Sequence, residues 1–102
     1  MIMARAKLVI RGRVQGVFYR QSTKEMAIGL GLTGWAENCP DGSVAAVFEG
    51  EKQLVEEAIT WCHQGPPAAR VSTVEVDWQD FQGEFATFGI RRGRTRKSSP
   101  PA

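Results

Sequence analysis

Apolar and polar residues alternate along three parts of the chain. In the first part, 7–14, one side carries Leu8, Ile10, Gly12 and Val14. A period of two residues is typical of a strand with one buried face and one solvated face. The same alternation recurs over 71–78 and, more briefly, at Ala86, Phe88 and Ile90. The pattern therefore predicts strands over 7–14 and 71–78 and a short last strand.

Two further segments carry apolar residues at helical spacing. Ser22 with Glu25 three residues later forms a capping box, and Gly31 suits the left-handed position after a last turn. A first helix is therefore predicted to begin at Ser22 and to end before Gly31. A second helix is predicted over 51–64, because Gly65 and two prolines follow it. One face of this helix carries Leu54, Val55, Ala58, Trp61 and Cys62.

The segment between the two helices predicts a hairpin. Residues 35–38 and 43–49 have strand character, and Pro40-Asp41-Gly42 between them is a turn signal. The order of elements is then β-α-β-β-α-β plus a short last strand. This order predicts an α+β fold, a ferredoxin-like split βαβ sandwich, with an antiparallel sheet and two helices on one face. We expect one domain over 1–92 and a flexible basic tail over 93–102.

The composition narrows the classes of function. The 102 residues suffice for one domain, and no apolar run reaches the ~18 residues of a membrane span. The N-terminus is charged too early for a signal peptide. Cys39 and Cys62 lack metal-ligand spacing, and a single histidine excludes a multi-histidine metal site. We therefore expect a cytoplasmic monomer with two reduced thiols, no metal and no membrane contact.

The net charge of +2 depends on the predicted tail. Arg94, Arg96 and Lys97 lie there, and removing these three from the thirteen basic residues leaves ten against eleven acidic ones. The remaining body is therefore slightly acidic. Because nucleic-acid binding relies on clustered positive charge, we expect no nucleic-acid partner.

The connection after the first strand, Gln15 to Arg20 (QGVFYR), has the chemistry of an anion site. It contains no proline, so each residue offers a backbone N–H, and Gly16 permits a sharp turn. A helix N-terminus follows, and Arg20 supplies a planar donor fork. By the pattern alone, a plain connecting loop remains the alternative.

The predicted topology gives this loop a partner. The first two strands run in the same direction with the third between them, so their C-terminal ends share one edge of the sheet. Gln15 to Arg20 leaves the first of these ends, and Asn38 closes the second. Arg20 and Asn38 are therefore predicted to converge on one small ligand.

Two stretches at these positions resemble the acylphosphatase family: GRVQGVFYR over 12–20 and LGLTGWAENCPDGSVAAVFEG over 30–50. The resemblance implies hydrolysis of acyl phosphates to a carboxylate and inorganic phosphate, with no metal or cofactor. It implies catalytic roles for Arg20, which binds the substrate, and Asn38, which orients the attacking water. The implied phosphate-binding residues, where inorganic phosphate or sulfate could also sit, are Gln15, Gly16, Val17, Phe18, Tyr19 and Arg20.

The sequence departs from the family pattern in two places. Ala36 and Glu37 replace the usual Val and Arg of the second stretch, and Arg92 replaces an aromatic residue after Arg91. Neighbouring strand residues face opposite sides, so we expect Glu37 to point away from Asn38 and to have a modest effect. Two alternative functions remain open: a non-catalytic phosphate-ligand module and an RNA-binding ferredoxin-like module.

Overall fold

The computed structural model describes residues 1–92, so the predicted flexible basic tail, 93–102, lies outside the described residues. Every predicted helix and strand is present, most of the strands being longer than predicted. The elements are β1 (Met3–Arg13), α1 (Tyr19–Gly29), β2 (Thr33–Asn38), β3 (Val44–Glu51), α2 (Lys52–Gln64), β4 (Arg70–Gln79) and β5 (Phe88–Arg91).

The sheet has the strand order β4-β1-β3-β2-β5, which confirms the α+β ferredoxin-like fold. β3 lies between β1 and β2 and is antiparallel to both. The prediction of a wholly antiparallel sheet is wrong at one edge, because β5 pairs parallel to β2. The connection 80–87 carries the chain from β4 past the end of β3 to the start of β2, so β5 enters in the same direction as β2. The C-terminal ends of β1, β2 and β5 therefore share one edge of the sheet.

The core lies between the sheet and the two helices. The predicted alternation of β1 is confirmed, since Leu8 and Ile10 are fully buried while Lys7 and Arg11 are exposed. Both helices pack on the same face of the sheet as Leu8. The buried cluster on this face includes Ala36, Ala46 and Phe48 from the sheet and Ala27, Val55, Ala58 and Cys62 from the helices.

The predicted start of α1 at Ser22 is wrong. The helix begins at Tyr19, and the Ser22 N–H already donates to the carbonyl of Phe18 at 3.0 Å. Tyr19 is 2% exposed, so burial of its side chain draws the chain into the helix three residues before the local capping signal. The predicted end is confirmed, because Gly31 has φ 74° and the Leu32 N–H donates to the Ala27 carbonyl.

Glu49 holds the connection that carries the chain to β5. Its carboxylate accepts hydrogen bonds from the backbone N–H groups of Gln82 at 2.8 Å, Gly83 at 3.3 Å and Glu84 at 3.2 Å. The Arg5 guanidinium lies 3.2 Å away. Burial alone would raise the pKa of Glu49, but these hydrogen bonds outweigh it and leave the pKa below its ordinary value. One buried carboxylate thus fixes the path of 82–84.

Replacing Glu49 with Gln is expected to lower the free energy of unfolding at pH 7 by about 3 kcal/mol, because Arg5 loses its buried partner. The folded pKa of Glu49 is depressed. Its contribution is therefore complete above the unfolded value of about 4.3 and is lost as the pH falls through the folded pKa. Urea unfolding should show the full difference from wild type at pH 7 and a smaller difference as the pH falls below the unfolded pKa of about 4.3.

A matched control is Glu84→Gln, which removes the exposed carboxylate that pairs with the same Arg5 at 2.8 Å. This change is expected to lower the free energy of unfolding by less than about 1 kcal/mol. Equal effects of the two substitutions would contradict the special role of the buried carboxylate.

Candidate active site

A cleft of about 380 Å³ opens where the C-terminal ends of β1, β2 and β5 meet the start of α1. Both predicted catalytic residues, Arg20 and Asn38, line it, so the structure brings them together as predicted. The lining residues are Val14, Gly16, Phe18, Tyr19, Arg20, Gln21, Asn38 and Ile90.

The loop 15–20, called the phosphate loop below, has two residues in the left-handed region. They are Gly16 with φ 76° and Phe18 with φ 63°. Within residues 1–92, no protein oxygen accepts a hydrogen bond from the backbone N–H groups of Gly16 to Arg20. α1 begins there without a side-chain cap. Bent backbone with free N–H groups at a helix N-terminus is an arrangement that binds anions.

The buried side chain of Tyr19 connects the phosphate loop to the core. Its hydroxyl donates to the Cys62 carbonyl at 2.7 Å, and its ring lies 5.7 Å from that of Trp61. Burial raises the pKa of Tyr19, which stays a neutral donor. A Cβ at Gly65 would lie 2.6 Å from the Tyr19 ring, so the turn after α2 requires glycine. Burial also raises the pKa of the Cys62 thiol to about 12, so it is no nucleophile at neutral pH.

Arg20 lies in the first turn of α1 and reaches across to β5. One Nη atom donates to the carbonyl of Arg91 at 3.3 Å. A guanidinium has five N–H donors, so several remain for a ligand in the cleft. The contact with β5 places one Nη of Arg20 beside the end of that strand.

Gln15 and Val17 do not line the cleft in the described part of the chain. The Gln15 amide donates to two carbonyls of the β2–β3 turn, those of Cys39 and Ser43, each at 2.8 Å. Val17 is 7% exposed and belongs to the core. Gln15 therefore ties the phosphate loop to the turn that follows Asn38, and its side chain is unavailable to a ligand.

Asn38 is the last residue of β2 and shares its face with the buried Ala36. Glu37 points to the opposite face, as expected. There its carboxylate lies 3.4 Å from Nε of Arg91, whose guanidinium stacks 4.2 Å from the Trp35 ring centre. The reversed charge of Glu37 is therefore paired away from the cleft.

The turn after Asn38 contains two hydrogen bonds and an ion pair, all to the carboxylate of Asp41. The Asp41 carboxylate accepts hydrogen bonds from the Ser43 hydroxyl at 2.6 Å and the Ser43 N–H at 3.0 Å, and it pairs with Arg11 at 3.0 Å. These contacts, the Ser43 hydroxyl first, lower the pKa of Asp41 to about 2. Asp41 is therefore ionised at neutral pH, where it can keep its hydrogen bonds to Ser43 and its ion pair with Arg11.

Three lining residues were not predicted from the sequence to belong to the site: Val14, Gln21 and Ile90. Gln21 was missed because α1 begins earlier than its capping signal indicates. Ile90 was missed because only the parallel pairing of β5 with β2 brings it to this edge. For Ile90, the one available signal in the sequence was the predicted alternation of the last strand.

Among residues 1–92, no group of three or more His, Cys, Asp or Glu side chains could hold a metal ion. Across the same residues, no helix is both long enough and apolar enough to cross a bilayer. Cys39 is partly exposed and Cys62 is buried, and the two are not joined to each other.

Comparisons with known proteins agree with one another. The model of a family described as Acylphosphatase matches residues 6–90. A curated acylphosphatase from Pelotomaculum thermopropionicum is 53% identical over 90 residues, covering 88% of this chain and 98% of that protein. An acylphosphatase structure from Coxiella burnetii has a TM-score of 0.83 at 34% identity, covering 87% of this chain and 93% of that one. Full-length HypF, at 23% identity and TM-score 0.81, covers 92% of this chain and 13% of that one, and shows the fold alone.

The family match includes both stretches that carried the resemblance, 12–20 and 30–50, and every described element that lines the cleft. The Pelotomaculum protein matches over nearly its whole length, so the similarity is not confined to one motif. The chain belongs to the acylphosphatase family.

Proposed function

We propose that this protein is an acylphosphatase, a hydrolase that cleaves the carboxyl–phosphate bond of small acyl phosphates. One observation carries the proposal. In a chain of this family, four residues whose backbone N–H groups have no protein acceptor within residues 1–92 line the same cleft as Asn38: Gly16, Phe18, Tyr19 and Arg20. That cleft offers hydrogen-bond donors for an anion, and its lining also includes the side-chain amide of Asn38.

The phosphate group would be held by charge and hydrogen bonds alone. Oxygens of the phosphate accept from the N–H groups of Gly16 to Arg20, and Arg20 adds a fork matched to two oxygens. These donors stabilise the negative charge that spreads over the three equatorial oxygens in the transition state. Inorganic phosphate or sulfate, which presents the same oxygens, would occupy the same loop.

Asn38 would orient the attacking water through its side-chain carbonyl oxygen. The water oxygen forms a bond to phosphorus while the bond from phosphorus to the acyl oxygen breaks. The electron pair of that bond leaves with the carboxylate. An amide does not titrate usefully, so the water proton passes to a phosphate oxygen or to solvent. Because a carboxylate is a good leaving group, positioning supplies most of the required acceleration.

The direct experiment is hydrolysis of benzoyl phosphate by the purified protein, with and without EDTA. We expect turnover that EDTA leaves unchanged, because the proposed donors are all protein groups. Loss of activity in EDTA would contradict the metal-independent mechanism. Binding of inorganic phosphate without hydrolysis would instead identify a non-catalytic phosphate-ligand module.

We further propose a cytoplasmic monomer without a nucleic-acid partner. The slightly acidic body of the chain supports the absence of a nucleic-acid partner, and the two free cysteines support a reducing compartment. Gel filtration tests the monomer. Titration with RNA at low and high salt tests the absence of nucleic-acid binding, and tight, salt-sensitive binding would contradict it.

A further inference from the structure

Phe18 combines two unfavourable features. It is 82% exposed, and its φ of 63° places a bulky residue in the left-handed region. Glycine or asparagine would adopt this conformation more easily, and a large apolar side chain gains nothing from exposure to water. Such strain at the rim of a ligand cleft is a sign of function. The position therefore calls for an explanation that includes the aromatic ring.

Phe18 is one of the residues that line the cleft. Phe18 and Ile90, which is 37% exposed, are the large apolar residues of the lining that also reach solvent. Val14 and Tyr19 line the cleft too but are almost fully buried. The same lining includes Gly16, Arg20 and Asn38. The cleft thus combines hydrogen-bond donors for an anion with two apolar side chains that reach solvent.

An acyl phosphate has two corresponding parts. Its phosphate requires the donors, and its acyl group extends from the same phosphorus through one oxygen. With the phosphate on the N–H groups, the acyl group must leave the cleft past its rim. Within the described residues, the one charged side chain in the lining is Arg20. Among these described lining residues, no carboxylate would lie beside an apolar acyl group, and no second cation would bind an acidic one.

We infer that Phe18 and Ile90 form an acyl subsite, and that the preferred substrates carry an aromatic or branched apolar acyl group. This inference rests on the proposed function and adds the chemical class of the acyl group. The subsite contacts the organic group attached to the leaving carboxylate. It takes no part in bond making or breaking. It contributes to binding through apolar contact with the exposed face of Phe18.

The test compares kcat/KM for benzoyl phosphate and acetyl phosphate. Both substrates carry the same phosphate, so any effect of a substitution on the phosphate loop cancels in the ratio. Wild type should favour benzoyl phosphate by at least about tenfold. Phe18→Asn, which suits the left-handed conformation, should lower this ratio about tenfold. Phe18→Tyr keeps the aromatic face and should retain the ratio.

Ile90→Thr is the second variant, and it keeps a β-branched residue in β5. It should lower the ratio about fourfold, in proportion to the apolar surface removed. If wild type hydrolyses both substrates while the ratio in Phe18→Asn and in Ile90→Thr stays within about twofold of the wild-type ratio, that result overturns the acyl subsite and leaves the proposed function standing. Absence of wild-type activity on both substrates overturns the proposed function, and this inference with it.

Discussion

Replacing Arg20 with Ala is expected to lower kcat/KM for benzoyl phosphate about a thousandfold. Arg20 is the charged residue of the cleft lining, and one of its Nη atoms donates to the carbonyl of Arg91 at 3.3 Å. Its loss removes charge that stabilises both the bound phosphate and the transition state. KM should therefore rise as kcat falls, and inhibition by inorganic phosphate should weaken in parallel.

Two further variants separate charge from geometry. Arg20→Lys keeps the charge but not the planar fork, so we expect a loss between wild type and Ala, of about fiftyfold. Arg13→Ala removes an exposed arginine at the end of β1, the strand that precedes the phosphate loop, and Arg13 lies outside the cleft lining. Its kcat/KM should stay within about threefold of wild type, since only long-range charge is lost. An equal loss in Arg13→Ala and Arg20→Ala would contradict a specific role for Arg20.

The main parts of the fold and of the candidate site could be predicted because their signals are local. Alternation marks β1, and a turn signal marks the β2–β3 hairpin. The order of elements then fixes which strand ends share an edge, which was enough to bring Arg20 and Asn38 together. The roles of these residues came from the family resemblance, because spacing alone left a plain loop as the alternative.

The features that sequence reasoning missed depend on contacts between distant residues. α1 begins at Tyr19, whose buried side chain donates a hydrogen bond to the carbonyl of Cys62, 43 positions along the chain. β5 reaches its parallel position along a connection held by Glu49, 33 to 35 positions away. Gln15 is tied to carbonyls 24 and 28 positions ahead. No local pattern encodes such contacts. The capping box therefore predicted the wrong start for α1, and the order of elements did not predict the parallel pairing of β5.

Replacing Asn38 with Ala is expected to lower kcat for benzoyl phosphate about a hundredfold while KM changes little. The proposed task of Asn38 is to orient water, which matters in the transition state and not for holding the phosphate. The N–H groups of Gly16 to Arg20 remain in place, so inhibition by inorganic phosphate should persist. A fall in phosphate affinity equal to the fall in kcat would place Asn38 in phosphate binding instead.

The matched control for Asn38 is its neighbour in β2. Glu37→Gln changes a side chain on the opposite face, where it pairs with Arg91 at 3.4 Å. A partly exposed pair of this kind is worth at most about 1 kcal/mol, so kcat should stay within about fivefold of wild type. Because the two residues share a strand and differ in the face they occupy, a large effect in Asn38→Ala and a small one in Glu37→Gln assigns the loss to the cleft. Equal losses would trace both effects to distortion of β2, and the water-orienting role would then be wrong.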